Sequence, residues 1–236
     1  MLIDGDNARP KLIERIIRET EKYGSITIRR IYGDWTKENM KGWMQHLHGL
    51  AIQPIQQFRY TIGKNATDSA MIIDAMDILH QDVVSGFCIV SSDSDYTRLS
   101  TRIRENGLFV IGVGEKKTPE AFVKACNVFV YTENLDPETA KMKTPSKGKA
   151  RTPARKREEP DPTPLLVEAF EMTVKEDWWV SLSEIGTALN KIDPGFDPRT
   201  YGYRTLSQIF KAYPKKFEIK YEDETGPSVV WVRMVP

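Results

Sequence analysis

The chain has 236 residues, with 34 Lys and Arg against 33 Asp and Glu for a net charge of +1, and two cysteines. That length admits one sizeable domain and a small one, and a charge this near zero identifies no partner class, so any such signal must come from local patches. Cys88 and Cys126 sit in apolar runs and read as small buried hydrophobes rather than a disulfide or metal pair. No apolar run approaches a membrane span and no signal-peptide pattern opens the chain, so no membrane association is expected and a reducing cytoplasmic setting is.

Met1-Leu2-Ile3 reads as a first strand, short for a central one, ending in Asp4-Gly5-Asp6-Asn7. A helix is predicted over 10–22, with Leu12, Ile13, Ile16 and Ile17 at helical spacing, Pro10 in its first turn and Gly24 just past its end. A strand over 26–32, a helix over 38–48 and an edge-like strand over 51–58 interrupted by Pro54 come next. A polar loop carrying Lys64 leads to a helix over 68–79. Then come a strand over 86–90, a helix over 95–105, a strand over 108–113, a helix over 119–125 and a strand over 128–131. Such alternation predicts a parallel sheet with helices on both faces.

Two strand ends in this pattern carry carboxylates. Phe87 to Val90 runs into Ser91-Ser92-Asp93-Ser94-Asp95, with a helix from Tyr96, and the first strand ends in Asp4 and Asp6. In open α/β sheets, ligands bind beyond the carboxyl ends of the strands. If the two strands are neighbours, the carboxylates converge and repel one another unless a divalent cation or protons neutralise them. The alternative is that these Asp and Ser residues simply cap helices. At about 100° per residue, Met71, Ile72, Ala75, Ile78 and Leu79 share the inward face of the 68–79 helix. Asp68 projects along that face at the amino end, Asp74 lies at its margin and Asp77 points to solvent. Asp68 is therefore the expected fourth member of the cluster, a cap shared with Thr67 being its alternative, and Asp74 stands behind the ligands.

Ile3-Asp4-Gly5-Asp6-Asn7, then Asn65-Ala66-Thr67-Asp68-Ser69-Ala70 with Asp74-Ala75, then Val90-Ser91-Ser92-Asp93-Ser94-Asp95-Tyr96 together resemble the NYN domains, PIN-like ribonucleases that include the LabA-like group. The likeness covers residues 1–135. It implies a PIN-like sheet of strand order 3-2-1-4-5, with the ends of strands 1 and 4 side by side. It also implies Mg²⁺ or Mn²⁺ held by Asp4, Asp68, Asp93 and Asp95, which would be the catalytic residues. Ser91-Ser92-Asp93 departs from the family's usual Ser-Gly-Asp, leaving a less permissive backbone there. The chemistry agrees with the likeness: hard carboxylates without a His or Cys pattern suit Mg²⁺ or Mn²⁺ rather than zinc. Such an ion can activate a water, orient a scissile phosphate and stabilise the departing oxygen.

Asn7, Ser92 and Ser94 are expected to support the ligands or touch a phosphate, as is Asp6, which strand alternation can turn away from Asp4. Lys64, Arg98, Lys116 and Lys117 are candidate contacts to a nucleic-acid backbone, and Tyr32 or Trp35 candidate stacking rings. Solvated charge and core aromatics are the plainer readings of each. His46, His48 and His80 form no ligand pattern.

Residues 136–162 lose periodicity and gather basic residues in KMKTPSKGKARTPARKR before Glu158-Glu159. They read as a flexible linker, either a plain spacer or one that adds phosphate contacts. From 163 to 236 the chain is amphipathic again. Leu165, Leu166, Ala169, Phe170 and Met172 suit a helix; Trp178 and Trp179 are expected in the core. Ser181 can cap a helix bearing Leu182, Ile185, Ala188 and Leu189. A third helix over 203–213 turns Leu206, Ile209 and Phe210 inward, and strands over 217–221 and 229–232 form a hairpin. Helices followed by a β-wing predict a small winged-helix (α+β) domain. Val180-Ser181-Leu182-Ser183-Glu184-Ile185-Gly186 and Tyr201-Gly202-Tyr203-Arg204-Thr205-Leu206-Ser207 resemble the LOTUS or OST-HTH domain. That likeness implies a module that binds RNA or docks a protein, with Lys211, Lys215 and Lys216 as candidate contacts.

The leading expectation is a metal-dependent ribonuclease with an RNA-targeting or docking module. A catalytically weak RNA-binding protein is a second reading, opposed by four intact carboxylates that a purely binding surface has no use for. A haloacid-dehalogenase-like phosphatase is a third, since Asp4-x-Asp6 mimics its nucleophile and acid. Asn7 and the lack of a Thr-bearing second-strand motif oppose it.

Overall fold

Six short segments between residues 2 and 131 find one another as a single parallel sheet in the computed structural model, which describes residues 1–58, 66–136, 161–174, 178–222 and 229–235. Lys64 and nearly all of the basic linker lie outside these residues. The chain divides into two compact units, Met1–Asp136 and Pro137–Pro236.

In the first unit the strands are β1 (Leu2–Asp4), β2 (Arg30–Gly33), β3 (Gln53–Gln56), β4 (Gly86–Val90), β5 (Phe109–Gly114) and β6 (Val128–Tyr131). Their order is β3-β2-β1-β4-β5-β6, all parallel, which is the expected 3-2-1-4-5 with a sixth strand outside β5. Helices α1 (Ile13–Thr20), α2 (Lys41–Leu47), α3 (Ala66–His80), α4 (Thr97–Glu105) and α5 (Glu120–Ala125) connect them. Because β1, β4, β5 and β6 are covered on both sides, they are near-continuous apolar runs rather than alternating ones, whereas the edge strand β3, Gln53-Pro54-Ile55-Gln56, is mostly exposed. Ile3, Ile31 and Val90 pack with Ile13 and Ile16 of α1 and Trp43 of α2 on one face. Leu2, Tyr32 and Ile89 pack with Met71 of α3, Leu99 of α4 and Phe122 of α5 on the other. The helical face read for α3 is the buried one: Thr67, Met71, Ala75, Ile78 and Leu79 are buried.

β2 begins four residues later than predicted. Its register pairs Arg30 with Leu2, so residues 26–29 precede the ladder; Ile26 and Ile28 pack against the two cores, and the Ile28 and Arg29 carbonyls accept from Met1 N at 2.7 Å and Gln53 N at 2.8 Å. Two glycines are required by close approach. A Cβ on Gly112 would stand 2.4 Å from Phe129 Cδ2 and 2.7 Å from Cys126 Sγ, and one on Gly5 would stand 2.8 Å from the Tyr32 carbonyl oxygen. The glycine after Asp4 thus lets the turn leave β1 hard against β2.

The second unit has α6 (Thr163–Glu171), β7 (Val180–Ser181), α7 (Leu182–Ile192), α8 (Leu206–Lys211), β8 (Phe217–Glu222) and β9 (Val229–Met234). The strands form an antiparallel sheet of order β7-β9-β8. Ser181 caps α7 through a full capping box with Glu184. Leu166, Phe170, Ile185, Leu189, Ile209, Phe210, Phe217 and Val232 make the core. α8 is shorter than the 203–213 predicted, because Gly202 at φ +84° ends the preceding 3₁₀ turn and Thr205 then caps the helix through Gln208 N.

The expectation that Trp178 and Trp179 are core is corrected. Val180 takes the inward position opposite Val232, and alternation turns Trp179 outward, where Arg233 lies 4.8 Å from its ring. Trp178 is 68% exposed. Among the described residues of the chain, no helix is long and apolar enough to cross a membrane.

Candidate metal centre

The site is built on the seam between β1 and β4. Leu2 pairs with Ile89 and Ile3 with Val90, so Asp4 and Ser91 emerge next to each other at the carboxyl ends. Asp4 is fully buried, and its oxygens are held by four donors. Oδ1 accepts from the backbone N–H of Asp6 at 3.1 Å and of Asn7 at 3.3 Å; Oδ2 accepts from Asn7 Nδ2 at 2.7 Å and Ser91 Oγ at 2.8 Å. Burial pushes the Asp4 pKa up, the hydrogen bonds from Asn7 and Ser91 oppose that rise, and the charge of Asp68 adds to it.

Ser91 has a second task. Its Oγ accepts from the backbone N–H of Asp93 at 3.1 Å, and Asp93 Oδ1 in turn accepts from Asp95 N at 3.0 Å, capping the 3₁₀ turn Ser94–Tyr96. Capping and clustering therefore coexist. One ligand oxygen each from Asp68, Asp93 and Asp95 lie within 4.8 Å of one another. Asp68 arrives from the first turn of α3 and accepts a 2.6 Å hydrogen bond from the Tyr96 hydroxyl. Burial pushes the pKa of that phenol far up and the neighbouring charges of Asp4, Asp68 and Asp93 add to the rise, so it stays a donor and fixes the Asp68 side chain.

The other nominated residues fall around this group. Asp6 points away from Asp4, accepting from Asn39 Nδ2 at 3.1 Å and Thr67 Oγ1 at 3.3 Å. Asp74 is bound by Arg30 and by the Tyr32 hydroxyl, which ties α3 to β2 at a distance from the cluster along the helix. Ser92 Oγ accepts from Glu115 N at 2.8 Å, and its backbone is not among the residues with positive φ, so serine in place of glycine carries no strain. The Ser94 carbonyl accepts from Thr97 Oγ1 at 2.5 Å. Tyr32 is fully buried and cannot stack on a base; its hydroxyl group serves Asp74 instead. Trp35 is half-buried, donating to the Ile55 carbonyl at 3.0 Å. Arg98 is exposed at the start of α4. Lys117 pairs with Glu115 at 2.8 Å and Arg9 with the same carboxylate at 2.5 Å, while the Lys116 N–H donates to Glu133. Lys211, Lys215 and Lys216 are exposed at the end of α8 and in the turn before β8.

Sequence reasoning nominated neither Ser91, Tyr96 nor Arg9. Ser91 was the legible one, since any residue just past β4 must face the residue just past β1. The Tyr96–Asp68 bond spans 28 residues and has no local signature.

Residues 1–135 match the NYN domain family, and residues 158–229 match the OST-HTH/LOTUS domain family. No curated protein matches. Among solved structures, an uncharacterized protein of Nitrosomonas europaea is similar at 26% identity, covering 39% of this chain and 93% of its own, with a TM-score of 0.30. A protein of unknown function from Vibrio parahaemolyticus is similar at 17% identity, covering 55% and 89%, with a TM-score of 0.46.

Proposed function

The chain belongs to the NYN domain family and carries an OST-HTH/LOTUS domain behind it, and from that premise we propose that it is a ribonuclease cleaving RNA phosphodiester bonds with Mg²⁺ or Mn²⁺. The observation that carries the reading is the approach of Asp68, Asp93 and Asp95 within 4.8 Å at the carboxyl edge of a parallel sheet. The group offers only hard oxygen donors, with no His or Cys in it, which fits a hard divalent cation. Asp68, Asp93 and Asp95 would hold the ion; Asp4, expected from the sequence as a fourth ligand, lies outside that group, fully buried with both oxygens accepting hydrogen bonds, and would stand behind them. The bound ion would supply Lewis acidity toward a phosphate and a more acidic water.

The protein's own contribution is placement. Tyr96 orients Asp68, while Ser91 bonds Asp4 on one side and the Asp93 backbone on the other. Arg98 and Lys116, exposed beside the site, would meet the sugar–phosphate chain, while Lys117 and Arg9 are shared with Glu115. A metal-free RNA holder is disfavoured because clustered carboxylates repel phosphate. A dehalogenase-like phosphatase is disfavoured because it needs Asp4 and Asp6 to share a substrate, whereas Asp4 is buried with both oxygens engaged and Asp6 faces Asn39 and Thr67. The C-terminal domain is proposed to target the RNA.

The test is digestion of end-labelled single-stranded RNA with Mn²⁺, with Mg²⁺ and with EDTA. Asp68→Asn and Asp93→Asn should each lose cleavage and keep RNA binding, and a chromogenic phosphate monoester should not be hydrolysed. Cleavage that persists in both variants with EDTA would sink the assignment.

A further inference from the structure

In the second unit, Lys211, Pro214, Phe217, Glu218, Ile219, Tyr221 and Val235 line an open groove of about 440 Å³ along the edge strand β8. Its walls are apolar and aromatic: Tyr221 is 45% exposed, and Lys211 Nζ stands 4.6 Å from its ring centroid. Lys215 and Lys216 sit in the turn at one end, and that turn is fixed by backbone bonds from Lys216 N to the Tyr213 carbonyl and from Val235 N to the Lys216 carbonyl. Among the described residues, none of these three lysines forms an ion pair with a carboxylate. The one acid in the lining, Glu218, is held by Arg233 at 2.5 Å. Among the described residues the groove therefore carries an excess of positive charge beside a flat aromatic wall, Lys216 acting on Asp161 through its charge alone.

The outer face of the same wing differs. It presents Trp179 and Arg233, but its cations are matched, Arg233 by Glu218 and Lys220 by Glu222 at 3.8 Å. Aromatic surface alone does not distinguish a nucleic acid from a protein partner. Aromatic surface with unmatched cations does favour the former, since bases stack on rings while phosphates release counterions to lysines.

We propose that the groove between α8 and β8 takes an unpaired base of single-stranded RNA against Tyr221, with the flanking phosphates on Lys211, Lys215 and Lys216. This rests on the reading of the C-terminal domain as RNA-targeting and is independent of the metal site. A duplex hides its base faces in the stack, so the groove selects single strands.

The test uses the full chain in EDTA, so that no cleavage intervenes, with anisotropy of a labelled single-stranded RNA read across a salt series. Tyr221→Ala should weaken binding about fivefold or more, the lower end of a base–aromatic stack, with the salt slope unchanged; Tyr221→Phe, which keeps the ring, should bind as the parent does. Replacing the three lysines by alanine should lower the salt slope by about 2, at roughly 0.7 per phosphate contact on a single strand. An RNA of equal length made abasic should bind parent and Tyr221→Ala alike. If the lysine variant weakens but Tyr221→Ala does not, the groove takes no base and the proposal falls, while the RNA reading stands. If neither changes, the groove takes no RNA and the proposal falls; RNA binding that also survives removal of residues 141–236 would take the RNA reading with it. A loss in Trp179→Ala without one in Tyr221→Ala overturns the proposal by moving the RNA to the outer face of the wing. So does equal weakening on duplex RNA.

Discussion

Ser91→Ala removes one hydroxyl that holds both halves of the candidate site. Its Oγ donates to Asp4 Oδ2 at 2.8 Å and accepts from Asp93 N at 3.1 Å, and the residue is buried. A hydrogen bond to a charged group contributes about 1.5–3 kcal/mol and a neutral one about 1 kcal/mol. The substitution should therefore destabilise the first unit by about 3 kcal/mol at neutral pH, or about 1.5 M in urea midpoint for an m value near 2 kcal/mol/M. The loss should also depend on pH, with a sign set by Asp4. Burial raises the Asp4 pKa above its ordinary 3.8, so the native state binds this proton more tightly than the unfolded chain. The stability that follows is complete below the ordinary value and is lost as pH rises through the raised one. The Ser91 bond opposes the rise; without it the pKa climbs further and the loss extends to higher pH. Destabilisation should thus be smallest at acid pH, grow as Asp4 ionises and then level off. Urea titrations in EDTA between pH 4 and 8 measure it. A cost independent of pH, or one unchanged in an Asp4→Asn background, would refute the account.

Asp93→Asn should raise the melting temperature in EDTA, because asparagine caps as well as aspartate while one charge leaves the cluster. Mn²⁺ should stabilise the parent by about 2.7 kcal/mol at a hundredfold excess over its dissociation constant and the variant much less; equal responses would remove Asp93 from the ligands. Gly112→Ala should destabilise by about 1–3 kcal/mol through overpacking, since its Cβ would press on Phe129 and Cys126; a neutral result in urea would show that β6 can yield. Deleting residues 141–236 should weaken RNA binding and flatten its salt dependence while slow cleavage of short strands persists, which gel shifts and digestion would check.

The central strands were legible because they are apolar runs bounded by turn residues, and the buried face of α3 because Met71, Ala75, Ile78 and Leu79 recur at helical spacing, although the helix as a whole is apolar on more than one side. Short elements were less so. The start of β2 depends on which residues of β1 lie opposite, a tertiary fact, and α8 is trimmed by a cap at Thr205 that competes with periodicity. Trp178 and Trp179 read as core by bulk, yet a two-residue strand admits one inward side chain, and Val180 takes it. At the site, the positions of Asp4, Asp68 and Asp93 at element ends could be read, but their hydrogen bonds could not. Asp74 looked like support for the ligands, and its partners Arg30 and Tyr32 lie more than forty residues upstream.

The seam between β1 and β4 has only two register pairs, against five between β4 and β5. Mechanically it is the narrowest joint in the sheet, and the three carboxylates straddle it. Asp68 rides on α3, which packs on β1 and β2, while Asp93 and Asp95 follow β4. A cation shared by them is a rivet through that joint, and the same charges unshared are a wedge in it. Amide hydrogen exchange at Leu2 and Ile3 should slow when the rivet is in place, which makes the backbone of β1 a substrate-free gauge of whether the cleft is loaded.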